Sequence, residues 1–385
     1  MYQILTLNKI SASGLSHFSA DRFACSETAE QPDAVIVRSA SMHEMDFSPN
    51  LLAIARAGAG VNNIPIDRCT ENGICVFNTP GANANAVKEL VICSLFLASR
   101  KIAAGTAWCE TLKGEGAEVG KKVEKGKSNF VGPEILGKTL GVIGLGAIGI
   151  LVANAAVSLG MHVIGYDPFL PETSKAKLAQ NVIITSELDR IFSESDYITV
   201  HTPLNDATRG IIGKKNLALA KDGVRILNFA RGELVDNEDI LDALHTGKVS
   251  AYVTDFPTDD QLGVPGVTAI PHLGASTPEA EENCAVMAVE QLSDYLLNGN
   301  VKNSVNLPAL SLERNGKVRL TVVSKGDISA SFSAKLLDEN VIASGFISGE
   351  KKGTGYLIAD TNTEITDEIL DSLKNVDGVL ALRIL

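Results

Sequence analysis

Two parallel-sheet α/β lobes followed by a small α+β module of ferredoxin-like order are the fold class that three features of this sequence predict. Short apolar runs alternate with polar helical stretches through the first hundred residues. A Gly-x-Gly-x-x-Gly turn follows a strand at residue 139 and opens a second βα series. Beyond a polar, Pro-containing stretch at 298–308, the order changes to strand–helix–strand–strand–helix–strand. Alternating βα units imply parallel sheets, and the βαββαβ order is that of a ferredoxin-like module. A chain of 385 residues has room for two or three such units.

In the first lobe, Tyr2–Leu7, Ala34–Arg38, Leu52–Ala57 and Ile74–Asn78 are short and β-rich, as strands buried on both faces are. Val87–Ile102 is a long apolar helix suited to crossing between domains. The charged, Gly-rich stretch 110–128 is expected to be a mobile surface loop. In the second lobe, strands are expected at Thr139–Ile143, His162–Tyr166, Val182–Thr185, Tyr197–His201, Arg225–Phe229 and Ala251–Thr254. Helices such as Ala147–Leu159 and Asn237–His245 fit between them, which suits a doubly wound sheet. The amphipathic helix 278–297 returns the chain to the first lobe, and 298–308 is a linker. The module then reads Lys317–Val323, Ile328–Leu337, Val341–Ile347, Gly355–Ala359, Asp367–Lys374 and Gly378–Leu385. The expected domains are 1–98 with 275–305, 99–274, and 306–385.

Composition narrows the function classes. With 34 Lys+Arg against 46 Asp+Glu, the net charge is −12, and an acidic surface repels nucleic-acid backbones. No apolar stretch of about 18 residues marks a spanning helix, so no membrane partner is expected. The N-terminus lacks the basic and apolar regions of a signal peptide. The six cysteines form no Cys-x-x-Cys pair, which suggests reduced core thiols in a cytosolic protein and no bound metal.

The chemistry begins at TLGVIGLGAIG, residues 139–149. Gly144 permits a tight turn, Gly146 lets a pyrophosphate approach backbone N–H groups, and Gly149 lets helix and strand pack closely. The helix opening through Ala147 and Ile148 adds unpaired donors and a partial positive charge. Asp167 ends the next strand, 23 residues after Gly144, where an acid bonds a ribose 2′-hydroxyl. It would repel a 2′-phosphate, so NAD is the expected cofactor.

Downstream lie HTPLNDATRGIIG (201–213), NFARGELVD (228–236) and IPHLGAST (270–277). With the glycine turn, these segments resemble the D-isomer-specific 2-hydroxyacid dehydrogenases over most of residues 1–305. VRSA (37–40), ARAGAGVNNI (55–64), PHLGAST and a C-terminal module with the order of an ACT domain are similar to the members that oxidise D-3-phosphoglycerate for serine synthesis. The resemblance implies that reaction. The alternatives are reduction of another 2-oxo acid (hydroxypyruvate or glyoxylate, pyruvate, 2-oxoglutarate) or a non-enzymatic NAD(H)-sensing role.

Within that resemblance His272 is the catalytic base, and Arg231 clamps the substrate carboxylate and polarises the C2 oxygen. The Glu that usually pairs with the base is absent from TDFPTDDQLG (254–263). Asp259 stands at the closest matching position, with Asp260 and Asp255 as fallbacks. Thr202, Pro203, Ala230, Asp255 and Gly274 join the glycine turn and Asp167 as cofactor neighbours. For substrate, the loop with Ala59, Gly60 and Val61 offers backbone N–H groups to the carboxylate, and Asn83 lines the same cleft. Arg38 and Arg56 are candidates for the 3-phosphate. Arg38 ends a buried strand and needs an anionic partner, either that phosphate or a structural Asp or Glu. The module's first loop, SKGDIS (324–329), has Gly326 but no Pro, which leaves an L-serine effector site and a plain dimerisation module both open. A homodimer or larger homo-oligomer is expected by resemblance.

Overall fold

Most of the apolar runs in the two parallel sheets are largely buried, and parallel strands covered on both faces have no polar side to show. The computed structural model describes residues 1–385, which divide into two compact units. One comprises Met1–Asn83 and Pro278–Leu385, the other Ala84–Thr277.

The first unit opens with β1 (Tyr2–Leu7), β2 (Phe23–Ser26), β3 (Ala34–Val37), β4 (Ala53–Arg56) and β5 (Cys75–Phe77). They form a parallel sheet in the order β2-β1-β3-β4-β5. The edge strand β2 has no counterpart in the sequence reading. It is four residues long with only Phe23 buried, so its apolar signal is weak.

The second unit carries β6 (Thr139–Ile143), β7 (His162–Tyr166), β8 (Val182–Thr185), β9 (Tyr197–Val200), β10 (Val224–Asn228), β11 (Val249–Thr254) and β12 (Val267–Ala269). The order β12-β11-β10-β9-β6-β7-β8 is a doubly wound sheet whose direction of winding switches between β6 and β9. The seventh strand, β12, is three half-buried residues and carries too short a pattern to be read from sequence. The helix Ala84–Ser99 packs against the helix Ala147–Ser158 and against β10 and β11 in this unit. The compact units therefore divide at residue 83, whereas the sequence places a domain boundary after residue 98.

Residues 110–128 are not one loop, as the sequence suggested. They contain an α-helix at Val119–Gly126, preceded by a short 3-10 turn and followed by another. Local ion pairs offset its glycines: Lys121 with Glu118, Lys127 with Glu124 and Lys122 with Glu115.

The C-terminal module contributes β13 (Val318–Lys325), β14 (Ala343–Lys351), β15 (Thr354–Thr361) and β16 (Val379–Ile384), in the antiparallel order β14-β15-β13-β16. Lys352 and Gly353, at φ +51° and +81°, make the two-residue hairpin loop that such tight turns require. One face of this sheet packs on the helices Ser329–Asp338 and Asp367–Lys374 through Phe332, Leu336 and Leu373. From the other face, Val323, Tyr356 and Ile358 join the core of the first lobe.

The module also grips the end of the helix Pro278–Asn298. Arg383 donates to the Leu296 carbonyl, Arg319 to the Asn298 carbonyl and Tyr356 to the Gly299 carbonyl. These carbonyls lack helical partners, and cations suit the negative end of the helix. Arg319 is itself buried in a bidentate pair with Asp360, at 2.6 and 2.7 Å.

No single helix is long and apolar enough to cross a membrane. All six cysteines are free thiols; Cys69, Cys75 and Cys284 are buried, whereas Cys25, Cys93 and Cys109 are exposed, so only half of them are the core thiols expected.

Candidate active site

In the second unit, the predicted residues gather at the carboxyl ends of the parallel strands, where ligands of open α/β sheets bind. The glycine turn follows β6. Gly144 sits at φ +92°, and a Cβ there would stand 2.7 Å from the His201 carbonyl oxygen. A Cβ on Gly149 would stand 1.9 Å from the Gly144 carbonyl oxygen, so the third glycine is fixed by the first. Gly146 caps the helix Ala147–Ser158, and a Cβ there would meet nothing within 4 Å. That open space beside free helix donors fits a diphosphate. Asp167, after β7, accepts the Leu145 N–H at 2.9 Å and so braces the turn from the next strand.

Residues 201–203 follow β9. The His201 N–H donates to the Ile143 carbonyl and ties this segment to the end of β6. The Thr202 hydroxyl and His201 Nδ1 are both buried without a protein partner. Burial pushes the His201 imidazole down to about 4, so it is neutral at neutral pH. Unpartnered buried polar atoms beside the glycine turn fit a polar ligand there. Thr208 fixes the segment by donating to the Pro203 carbonyl.

After β10, the buried Asn228 holds the following turn from both sides. Its amide donates to the Arg231 carbonyl, and its oxygen accepts the Ala230 N–H. The Arg231 side chain stands exposed and is anchored at one corner to the Ala230 carbonyl. Sequence reasoning missed Asn228, although NFARG contains it, because nothing local marks its side chain as a brace.

Asp255 follows β11 and is 3% exposed. Burial pushes its carboxyl up to about 6, against the opposing pull of its own N–H, the Gly274 N–H and Arg231. One of its oxygens has no hydrogen-bond partner. A buried carboxyl beside a cation at a strand end is the type of group that functional sites hold. His272 lies after β12, and its ring packs on Phe256 with centroids 4.6 Å apart and planes tilted by 52°. Asp259 heads the short 3-10 turn Asp259–Gln261 and is exposed. Asn237 steadies that turn by accepting from Thr258 and Gln261, and its amide reaches Asp260 at 3.5 Å.

In the first unit, Arg38 and Arg56 adjoin at the carboxyl ends of β3 and β4. Arg56 Nε donates to the Arg38 carbonyl at 3.1 Å. The Arg56 guanidinium lies so close over Gly58 that a Cβ there would stand 2.0 Å from Nη1. Gly58 is at φ +149°, and its carbonyl accepts the Thr79 N–H. The Ala59 carbonyl accepts from Asn78, which shapes the loop carrying Gly60 and Val61. Asn83 is half-buried at the end of this segment.

The anion beside Arg38 is Glu281, at 2.7 Å from the first turn of the helix Pro278–Asn298. Burial raises the Cys284 thiol, while Arg56 and Arg38 pull it back, which puts this buried cysteine under the same cluster. Glu281 and Cys284 escaped the sequence reading because the contact joins distant segments.

Residues 93–274 match the family model described as D-isomer specific 2-hydroxyacid dehydrogenase, NAD binding domain. A hydroxypyruvate reductase from Thermotoga maritima is 41% identical over 272 residues, covering 68% of this chain and 83% of that one. A D-3-phosphoglycerate dehydrogenase from Methanocaldococcus jannaschii is 36% identical over 302 residues. That match covers 76% of this chain and 55% of the relative, so the chain spans about half of its length. The solved NAD+-bound 3-phosphoglycerate dehydrogenase of Entamoeba histolytica is similar at 26% identity, with a TM-score of 0.61. It covers 80% of this chain and 99% of that one.

Proposed function

Because this chain belongs to the D-isomer-specific 2-hydroxyacid dehydrogenase family, we propose that it interconverts D-3-phosphoglycerate and 3-phosphohydroxypyruvate with NAD. The observation that carries the reading is the set of groups at the strand ends of the second unit: an open glycine turn braced by Asp167, unpartnered Thr202, and Arg231, Asp255 and His272 beyond.

NAD, when bound along Gly144–Gly149, Asp167, Thr202 and Pro203, supplies the hydride acceptor. The chain does the rest. Arg231 binds the C1 carboxylate and polarises the C2 oxygen through its planar fork. His272 takes the proton of the C2 hydroxyl in oxidation and returns it in reduction. The Phe256 ring limits how the imidazole can turn. Asp259 is assigned as the carboxylate that orients His272, in place of a Glu. Ala230, Asp255 and Gly274 are assigned to the nicotinamide end. In the first unit, the N–H groups around Gly60 hold the carboxylate, with Asn83 nearby, and Arg38 with Arg56 hold the phosphate.

The C-terminal module is assigned a structural and dimerising role. Its grip on the helix Pro278–Asn298 supports the structural part of that role, and a first loop that has Gly326 at φ +72° but no proline speaks against an effector site. Absence of inhibition by millimolar L-serine agrees with that role, and inhibition would replace it with an effector site. The free thiols suit a reducing compartment such as the cytosol.

NADH oxidation by the purified protein tests the reading across 3-phosphohydroxypyruvate, hydroxypyruvate, pyruvate and 2-oxoglutarate. A higher kcat/KM for the phosphorylated acid is expected. The Arg38–Glu281 pair and the likeness to a hydroxypyruvate reductase favour an unphosphorylated acid, and the same comparison decides between the two readings. Binding of NADH without turnover of any acid would leave only a sensor.

A further inference from the structure

We infer that Glu281 sets the selectivity between phosphorylated and unphosphorylated substrates by competing with the substrate phosphate for Arg38. The inference rests on the proposed function, because Arg38 is there a phosphate ligand.

The geometry is specific. Glu281 Oε1 stands 2.7 Å from Arg38 Nη1, a charge-assisted contact. Arg38 ends beside Arg56, whose Nε is held by the Arg38 backbone carbonyl. Glu281 thus offsets the charge of one of the two cations assigned to a phosphate. Glu281 lies in the first turn of a 21-residue helix, where the positive end of the helix also favours its charge. The carboxylate, fixed to the helix, therefore stays close when Arg38 turns toward another anion.

The ion pair is also weak enough to be exchanged. Its two side chains are 35% and 40% exposed, and pairs this open to water contribute little. A phosphate carrying close to two charges displaces the Glu281 carboxylate from Arg38, whereas an unphosphorylated acid leaves the pair intact. Glu281 thereby raises the KM of phosphorylated acids and spares the others. It acts through Arg38 and touches neither the reacting carbon nor the cofactor.

The neighbouring carboxylate provides an internal control. Glu282 accepts a hydrogen bond from Ser13 and is in no ion pair with Arg38. Glu281→Gln and Glu282→Gln remove the same charge from adjacent positions. In steady-state NADH oxidation, Glu281→Gln is expected to lower the KM for 3-phosphohydroxypyruvate about fivefold, or about 1 kcal/mol. Its kcat and its KM for hydroxypyruvate stay close to the parent values. Glu281→Asp, which keeps the charge, returns the KM toward the parent value. Thermal unfolding confirms that the three variants are folded.

Equal shifts for the two substrates, or the same shift in Glu282→Gln, would overturn the inference while leaving the proposed function standing. Parent protein with no preference for the phosphorylated acid, and no gain of one in Glu281→Gln, would overturn both.

Discussion

Replacing Asp255 with Asn should make the protein more stable relative to the parent as pH rises. Asp255 is 3% exposed, and its folded carboxyl sits at about 6 against an ordinary value of 3.8. A raised carboxyl means that the folded state binds the proton more tightly than the unfolded chain does. The stability from the neutral form is complete below about pH 4 and is lost as pH rises through about 6. A shift of about two units corresponds to about 3 kcal/mol once both states are ionised. Between pH 5 and pH 8 the parent should therefore lose about 1.4 kcal/mol that the Asn variant keeps. Other titrating groups cancel in the difference between the two proteins. Urea unfolding of both at pH 5 and pH 8 measures it, and activity should fall in the variant while stability gains, as for a charge held at a cost. A difference that stays constant across that range, or one that moves the other way, would refute the assignment of a strained buried carboxylate.

Four further outcomes follow from the structure. Gly149→Ala puts a Cβ 1.9 Å from the Gly144 carbonyl oxygen and should cost about 1–3 kcal/mol; if about 1.4 kcal/mol of this falls on the bound form, the Kd for NADH rises about tenfold in a fluorescence titration. His272→Asn should lower kcat by about 10²–10⁴-fold with NADH binding retained, and Asp259→Ala should lower kcat with the Kd for NADH little changed, because the base loses its proposed orienting partner. Arg319→Met strands the buried Asp360 and should cost about 3–5 kcal/mol in urea unfolding, much of it recovered in Arg319→Met/Asp360→Leu.

The fold was legible wherever burial coincides with a local pattern. Fully buried strands such as Ala34–Val37 and Cys75–Phe77 are continuous apolar runs. The glycine turn was legible because its Gly-x-Gly-x-x-Gly spacing falls directly between a strand and a helix. Strands β2 and β12 were not, since four and three residues at sheet edges carry little hydrophobic pattern. The helix Val119–Gly126 was hidden by glycines and by charge pairs whose stabilising spacing resembles a solvated run. In the site, His272, Arg231 and Asp167 sit in short motifs and could be named. Glu281 and Phe256 could not, because each acts on a residue that only the fold brings to it, and Asn228 could not, because nothing in NFARG marks its side chain as a brace. Arg38 shows the limit best: sequence demanded an anion beside it and left the choice open, and the structure supplies Glu281.

The most direct test of the central claim is the forward reaction. NADH formation should be followed with D-3-phosphoglycerate and with D-glycerate, under matched NAD, in the parent and in Arg38→Ala/Arg56→Ala. The account expects D-3-phosphoglycerate to be the better substrate in the parent, and the double variant to lose that preference with D-glycerate turnover little changed. Preference for D-glycerate in the parent, or a preference for the phosphorylated acid that survives loss of both arginines, would contradict it.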